Sequence, residues 1–209
     1  MRMLSLVEPL CTTITIGGEE WTVDLSFDNV LRWYILLDDD AIDDSHKIYL
    51  AFNAFVGEGT DVTADQMVSV VSEISKYVQQ TVYGDHDDEP SVDLNGDPVP
   101  QERFFSYEKD ADAIFSSFMA DYHIDLIEQQ GKLRWEKFKA MLDGLSETTQ
   151  FRRIVAIRQK STSGLEGEEL TSLLEAQDYY RLDDQDTQAS LDSQMGQVFG
   201  MLAEKAKEG

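Results

Sequence analysis

Closely spaced carboxylates are the first residues of this sequence that could do chemistry. The run at 38–44 is rich in aspartate, and hard cations such as Ca²⁺ and Mg²⁺ bind carboxylate oxygens. A calcium loop that begins at Asp38 needs glycine at its sixth position, where this chain has Asp43. The acidic stretches at 85–89 and 93–97 also lack a glycine at that position. We therefore predict no metal site and interpret these stretches as solvated loops.

Histidine and cysteine, which serve zinc binding and nucleophilic catalysis, are few and scattered. His46, His86 and His123 lie in separate segments without a second ligand at zinc-binding spacing. The chain has no G-x-S-x-G nucleophile elbow, and its short glycine pair at 57–59 lacks the Lys-Ser/Thr ending of a phosphate-binding loop. Cys11 is a single cysteine near a predicted strand, which favours a buried thiol in a reducing compartment. We expect neither an enzyme nor a cofactor.

The charge balance excludes several classes of partner. The 209 residues include 41 acidic and 17 basic side chains, for a net charge of −24. Net charges are −10 for residues 1–84, −6 for 85–100, zero for 101–160 and −8 for 161–209. Nucleic-acid binding and docking on anionic membranes both need clustered Lys and Arg, so neither is expected. No stretch approaches the ~18 apolar residues of a membrane span, and we expect an intracellular protein.

Apolar periodicity divides the chain into a short β part and a long helical part. Thr12–Ile16 alternates β-branched residues, and the Gly17-Gly18 pair that follows is typical of a two-residue hairpin turn. Beyond Ser26 the period becomes helical, which predicts a mainly α (α+β) fold: an N-terminal β-hairpin followed by a bundle of about six to eight helices. The predicted regions are the hairpin (1–27), a helical part of the core (28–83), an acidic Pro/Gly loop (84–100), a helical region (101–160) and an acidic C-terminal helical extension (161–209).

Polar residues before apolar stripes, and one glycine after a stripe, predict where individual helices begin and end. In the second helix the stripe places Tyr49 on the buried face together with Phe52 and Phe55. The predicted capping residues are Asp28 and Thr63 at N-termini, Gly144 as the C′ glycine, and Ser146 or Thr148 at the following N-terminus.

The central region contains two motif runs, FFSYEKDADAIFSSFMADYHIDL and LRWEKFKAMLDGLSETTQFRRIVAIR. With these runs the region resembles a family of tail proteins from long-tailed bacteriophages and prophages, the tail assembly chaperones encoded between the major tail protein and the tape measure protein. The resemblance extends over about residues 10–180. The motif positions that we expect to be structural are Phe105, Tyr107, Asp110, Asp112, Trp135, Phe138, Leu142, Gly144 and Arg158.

The resemblance implies a chaperone that binds and solubilises the tape measure protein while the tail tube assembles around it. Such a protein acts in the host cytoplasm and is absent from the mature virion. The implied partners are the tape measure protein, the major tail protein, a shorter or longer chaperone isoform and further copies of the chain. Two other interpretations stay open: an acidic inhibitor that mimics DNA, favoured by the net charge, and a minor structural protein of the tail.

The last predicted helix, at about 187–207, is the candidate partner-binding element. Its apolar residues fall at i, i+4, i+7, i+8 and i+11, which forms one stripe on a helix. An amphipathic terminal helix either docks in a partner's groove or closes its own core, and the sequence leaves both readings open. The stripe residues are Leu191, Met195, Val198, Phe199 and Leu202.

Overall fold

A computed structural model of the chain describes residues 4–16, 18–39, 41–58, 62–80 and 104–182. They form two compact units. Of the described residues, unit 1 holds 4–80 with 130–139, and unit 2 holds 104–129 with 140–182. Over these ranges a two-stranded hairpin precedes seven helices, which confirms the predicted mainly α (α+β) class. The same ranges hold no helix with the length and apolar character needed to cross a membrane.

The N-terminal hairpin forms where the alternating pattern predicts it. β1 (Thr13–Ile16) pairs antiparallel with β2 (Glu19–Thr22). Gly18, between the strands, has a φ of 87°, a conformation that glycine adopts without steric cost. One face of the hairpin packs inward, since the Trp21 ring meets the Phe52 ring edge-on at 6.0 Å.

Three helices follow within unit 1. α1 is Phe27–Asp38, α2 is Asp44–Val56 and α3 is Ala64–Gln79. Their inner faces form the core predicted from helical periodicity. Fully buried side chains of this core include Leu25, Val30, Trp33, Leu37, Phe52, Phe55, Val70 and Ile74.

Helix ends in unit 1 agree only in part with the predicted caps. Thr63 and Gln66 form the full capping box at the start of α3, as predicted for Thr63. Asp28 is not an N-cap, because α1 begins after Ser26 and Asp28 lies within its first turn. The Asp28 carboxylate instead accepts a hydrogen bond from the Gly131 amide at 2.8 Å and pairs with Arg32 at 2.9 Å.

The predicted burial of Tyr49 is wrong, since this side chain is half exposed. The buried face of α2 runs through Ile48, Ala51, Phe52 and Phe55, and Tyr49 lies beyond the edge of that stripe. Phe52 and Phe55 are buried as predicted, so the error concerns the width of the apolar face and not its direction.

Residues 130–139 return to unit 1 and complete its core. The Phe27 amide donates to the Leu133 carbonyl at 2.9 Å, and the Trp135 amide donates to the Leu25 carbonyl at 2.8 Å. The indole of Trp135 donates to the Val78 carbonyl at 3.0 Å. Phe138 stacks on Phe27 with 4.9 Å between ring centroids, so both aromatic motif residues of this segment are core residues.

Unit 2 is built from α4 (Ala111–Tyr122), the second half of α5 (Trp135–Asp143), α6 (Gln150–Gln159) and α7 (Gly167–Tyr179). The Ser117 hydroxyl on α4 accepts the Phe151 amide of α6 at 3.1 Å, which fixes the start of α6 against α4. The core of this unit comprises Ile114, Phe118, Leu126, Leu142, Leu145, Phe151 and Ile154.

Two capping predictions in unit 2 are wrong. The N-cap of α6 is Thr149, not Ser146 or Thr148. Gly144 follows α5 but its φ is not positive, so it is not a left-handed C′ glycine. A Cβ on Gly144 would lie 3.1 Å from the Tyr122 hydroxyl oxygen, so this position is small for reasons of space.

Candidate functional site

The turn that precedes α4 is organised by the carboxylate of Asp110. Oδ2 of Asp110 accepts the Ser106 amide at 3.0 Å, while the Ser106 hydroxyl accepts the Lys109 amide at 3.2 Å. The Asp110 amide donates back to the Ser106 carbonyl at 3.0 Å. This local pattern is an aspartate and serine turn that satisfies the backbone before the helix begins.

Arg158 on α6 binds this turn through a bidentate ion pair. Its Nη1 lies 2.6 Å from Oδ2 of Asp110, and its Nη2 lies 2.8 Å from Oδ1. The guanidinium also donates to the carbonyls of Phe104 at 2.9 Å and Tyr180 at 2.6 Å. Both side chains are more than nine-tenths buried, and the pair therefore depends on this full set of hydrogen bonds to offset desolvation.

The ion pair lies at one wall of a cleft of about 250 Å³ within unit 2. Lys109, Asp110 and Asp112 line it from the turn and the start of α4, and Arg158 lines it from α6. Tyr179, Tyr180 and Arg181 line it from the end of α7, where the two rings meet edge to face at 4.8 Å. The cleft has the size of one large side chain, and its lining combines aromatic rings with both signs of charge.

A second buried polar cluster lies in unit 1 and was not predicted. The side chain of Glu136 is fully buried and accepts the Tyr77 hydroxyl at 2.6 Å and Nη2 of Arg134 at 2.7 Å, both on Oε1. Arg134 also donates to the Cys11 carbonyl at 2.9 Å. Arg134 precedes α5 and Tyr77 belongs to α3, so no helical spacing in the sequence connects the three residues.

The cluster holds its members in defined protonation states. Burial alone raises the pKa of Glu136, but the hydrogen bonds from Arg134 and Tyr77 outweigh it, and the pKa is lowered. Burial and the adjacent Glu136 carboxylate raise the pKa of the Tyr77 hydroxyl. Tyr77 therefore stays a proton donor and Glu136 stays an anion, which makes this a structural network with fixed charges.

The structure separates the motif residues into two groups. Asp110, Asp112 and Arg158 meet at the cleft of unit 2, and Phe105 packs edge-on against Tyr107 and Phe151 at 5.2 and 5.4 Å. Leu142 and Gly144 also belong to unit 2, whereas Trp135 and Phe138 belong to the core of unit 1.

Other residues considered from sequence do not converge. His46 and His123 are exposed on different units, and His86 lies outside the described residues. The ranges that the structure describes hold no group of three His, Cys, Asp or Glu side chains able to bind a metal ion. Cys11 was expected to be buried but is exposed. It precedes β1, and its thiol donates to the Thr13 carbonyl at 2.9 Å.

The candidate partner-binding stripe of the terminal helix falls outside the residues that the structure describes. This applies to Leu191, Met195, Val198, Phe199 and Leu202, and also to the acidic Pro/Gly loop at 84–100. Their assignments therefore remain predictions from sequence.

The model of the bacteriophage Gp15 protein family matches residues 6–182. This match spans most of the chain, and the protein belongs to that bacteriophage family. No curated protein and no solved structure is similar enough to the chain to count as a match.

Proposed function

We propose that this protein is a tail assembly chaperone that binds and solubilises the tape measure protein. The observation that carries the proposal is the bacteriophage family match over residues 6–182, combined with the motif runs that resemble tail assembly chaperones. The protein acts in the host cytoplasm and leaves the complex before the virion is complete. Metal, nucleotide and membrane binding have no part in this proposal.

The exposed apolar side chains suit a protein that holds an apolar partner. In unit 1, Leu6 and Val7 are at least 90% exposed, and Ile35 and Tyr49 are about half exposed. In unit 2, Ile127 and Tyr179 are exposed. Scattered contacts of this kind are individually weak, and many copies on one long chain would act through avidity. Because each contact is weak, chaperone copies can dissociate one at a time as subunits of the tail tube replace them on the tape measure protein.

The net charge of −24 supports the proposal that the protein keeps the tape measure protein soluble. Surplus negative charge on each copy makes a crowded complex repel its neighbours and keeps it dispersed. In this proposal the apolar stripe from Leu191 to Leu202 adds a further binding element, which would lie along a helix of the tape measure protein.

The experiment that tests this function is co-expression with the tape measure protein, followed by size exclusion with light scattering. We expect the tape measure protein to become soluble and to co-elute with several copies of the chaperone. If it stays insoluble while the chaperone elutes alone, the proposal is wrong.

A matched pair of variants tests the terminal stripe. Phe199→Glu places a charge within the stripe, and Gln197→Glu adds the same charge off the stripe. We expect the first variant to reduce co-elution by at least about tenfold and the second to leave it unchanged, because burying an unpaired carboxylate is costly. If both variants reduce co-elution equally, the stripe is not part of the binding site.

The two alternatives predict different results. A minor structural tail protein would be present in purified virions, whereas the chaperone is absent from them. An acidic inhibitor that mimics DNA would compete with duplex DNA for a DNA-binding enzyme of the host, and its effect would weaken with added salt.

A further inference from the structure

Helix α7 is attached to the rest of unit 2 by few contacts. Leu173 is its one buried residue, while Leu174 is half exposed and Tyr179 is 81% exposed. Its N-cap, Glu166, makes no side-chain hydrogen bond to the helix. An open groove of about 740 Å³ runs beside Leu173 and is lined by Ile157 of α6 and by Lys160, the residue that follows α6.

The contacts that do hold α7 are specific and directional. Nε2 of Gln177 donates to the carbonyls of Ile157 at 3.0 Å and Lys160 at 2.8 Å, at the end of α6. Nε of Arg158 donates to the Tyr180 carbonyl at 2.6 Å. The hydrogen-bond partners of α7 are therefore defined atoms at the end of α6. The α7 of a second copy, in the same orientation, can form the same hydrogen bonds.

The linker between α6 and α7, residues 160–166, is suited to act as a hinge. It contains the Ser-Thr-Ser-Gly sequence, is almost wholly exposed, and turns back where the Leu165 amide donates to the Thr162 carbonyl at 3.2 Å. Gly164 has a φ of 82° in this turn. Fully extended, a linker of this length spans roughly 25 Å, which exceeds the diameter of two packed helices.

We propose that α7 exchanges between copies of this chain, so that the α7 of one copy occupies the α6 surface of another. Opening the hinge loses one small set of contacts, and docking on the neighbour restores the same set. The exchange is heterologous when each copy gives its helix to the next, and such a contact extends into an open row of copies. At low concentration the short linker favours the closed form, because the effective concentration within one chain is millimolar.

This exchange gives the proposed chaperone a means of self-association, but it does not depend on tape measure binding. Copies brought side by side reach the local concentration at which exchange becomes favourable. A chain that exchanges α7 yet fails to solubilise the tape measure protein would retain this inference and lose the proposed function. A chain that solubilises the tape measure protein without exchanging α7 would retain the proposed function and lose this inference.

Zero-length cross-linking of mixed isotopes tests the exchange directly. Nζ of Lys160 lies 3.9 Å from Oε1 of Glu169, close enough for a carbodiimide to join them as an amide. Equal amounts of ¹⁴N- and ¹⁵N-labelled full-length chain are concentrated to millimolar level, cross-linked and digested for mass spectrometry. In the oligomer fraction we expect about half of the Lys160–Glu169 links to join a light and a heavy peptide, as random exchange requires.

Glu169→Gln removes the reactive carboxylate and serves as the control that identifies this link. A second variant, deletion of Thr162 and Ser163, removes the turn by which the linker lets α7 fold back onto its own α6. It should therefore raise the oligomer fraction at least about fivefold at a given concentration. Links that are isotopically uniform in every oligomer, or a chain that remains monomeric with the shortened hinge, would overturn the proposal.

Discussion

Arg158 and Asp110, 48 positions apart in the chain, are joined by two parallel hydrogen bonds of 2.6 and 2.8 Å. The pair ties the turn before α4 to α6, and the Tyr180 carbonyl ties the end of α7 to the same guanidinium. Two motif residues that lie far apart in sequence thus meet as one structural unit. Their geometry demands the planar fork of arginine, which a lysine ammonium cannot reproduce.

Arg158→Lys tests this requirement. We expect unit 2 to lose about 3–5 kcal/mol of unfolding free energy, because Asp110 is left buried with an incomplete set of partners. Hydrogen exchange by mass spectrometry over α4 and α6 measures the loss. Arg152→Lys is the matched control, since Arg152 is about one-third exposed and its partner Glu147 is 77% exposed, and such a surface pair contributes about 0–1 kcal/mol. Equal effects of the two variants would contradict the assignment.

Glu136→Gln tests the buried cluster of unit 1 through its pH dependence. The folded pKa of Glu136 is lowered, so its stabilising contribution is present above the unfolded pKa and is lost as pH falls through the folded value. We expect the variant to lose about 1.5–3 kcal/mol at neutral pH and to show a flatter acid limb. Tryptophan fluorescence during urea unfolding reports this, since Trp21, Trp33 and Trp135 all lie in unit 1.

Tyr77→Phe refines the same test. It removes one of the hydrogen bonds that lower the pKa of Glu136, so the loss of stability in acid should be smaller, and should be complete at a higher pH, than in the unaltered protein. The same fluorescence titration measures the shift. An unchanged acid limb would show that the Tyr77 hydroxyl does not lower the pKa of Glu136.

Gly144→Ala tests whether space, not backbone conformation, requires glycine at this position. The new Cβ would press on the Tyr122 hydroxyl, which donates to the Met141 carbonyl at 2.9 Å. We expect a loss of about 1–2 kcal/mol, as for other overpacked sites. In a Tyr122→Phe background the loss should shrink, because the hydroxyl that clashes is absent. A double-mutant cycle by thermal unfolding measures the coupling, and additive losses would exclude this explanation.

Lys47→Met tests a buried cation that donates a hydrogen bond to a backbone carbonyl. Lys47 is 5% exposed, and its Nζ donates at 2.7 Å to the Leu37 carbonyl in the last turn of α1. Methionine fills similar space but leaves that carbonyl without this donor, and we expect a loss of about 1–3 kcal/mol. Lys76→Met is the control, since Lys76 is exposed on α3. Urea unfolding followed by fluorescence compares the two variants.

The sequence predicts element types better than the details that position side chains. Periodicity identifies the hairpin and the helical stripes because burial of one face follows directly from spacing, as with Phe52 and Phe55. It fails for Tyr49 because spacing does not reveal how wide the covered face is. It fails for Gly144 because the reason for glycine there is the hydroxyl of Tyr122, which belongs to another helix.

The cleft of unit 2 could not be predicted from the motif residues alone, because they meet only in the folded chain. Asp110 and Asp112 are near neighbours in sequence, but nothing in the spacing predicts that Arg158 pairs with Asp110 or that Tyr179 and Tyr180 complete the wall. Glu136 was missed for a related reason, since its partners come from α3 and from the residue before α5. Contacts between distant segments depend on tertiary structure, which local patterns do not encode.

The discontinuous path of the chain bears on how the protein emerges from the ribosome. Unit 1 receives Trp135 and Phe138 only after the first part of unit 2 has been synthesised. At typical bacterial elongation rates, roughly 3–12 s therefore pass between the synthesis of residue 80 and that of residue 139. The core of unit 1 is incomplete during this time. During that interval Phe27 and the Val78 carbonyl lack the partners they have in the finished fold. Completion of the N-terminal core is thus a late event of translation.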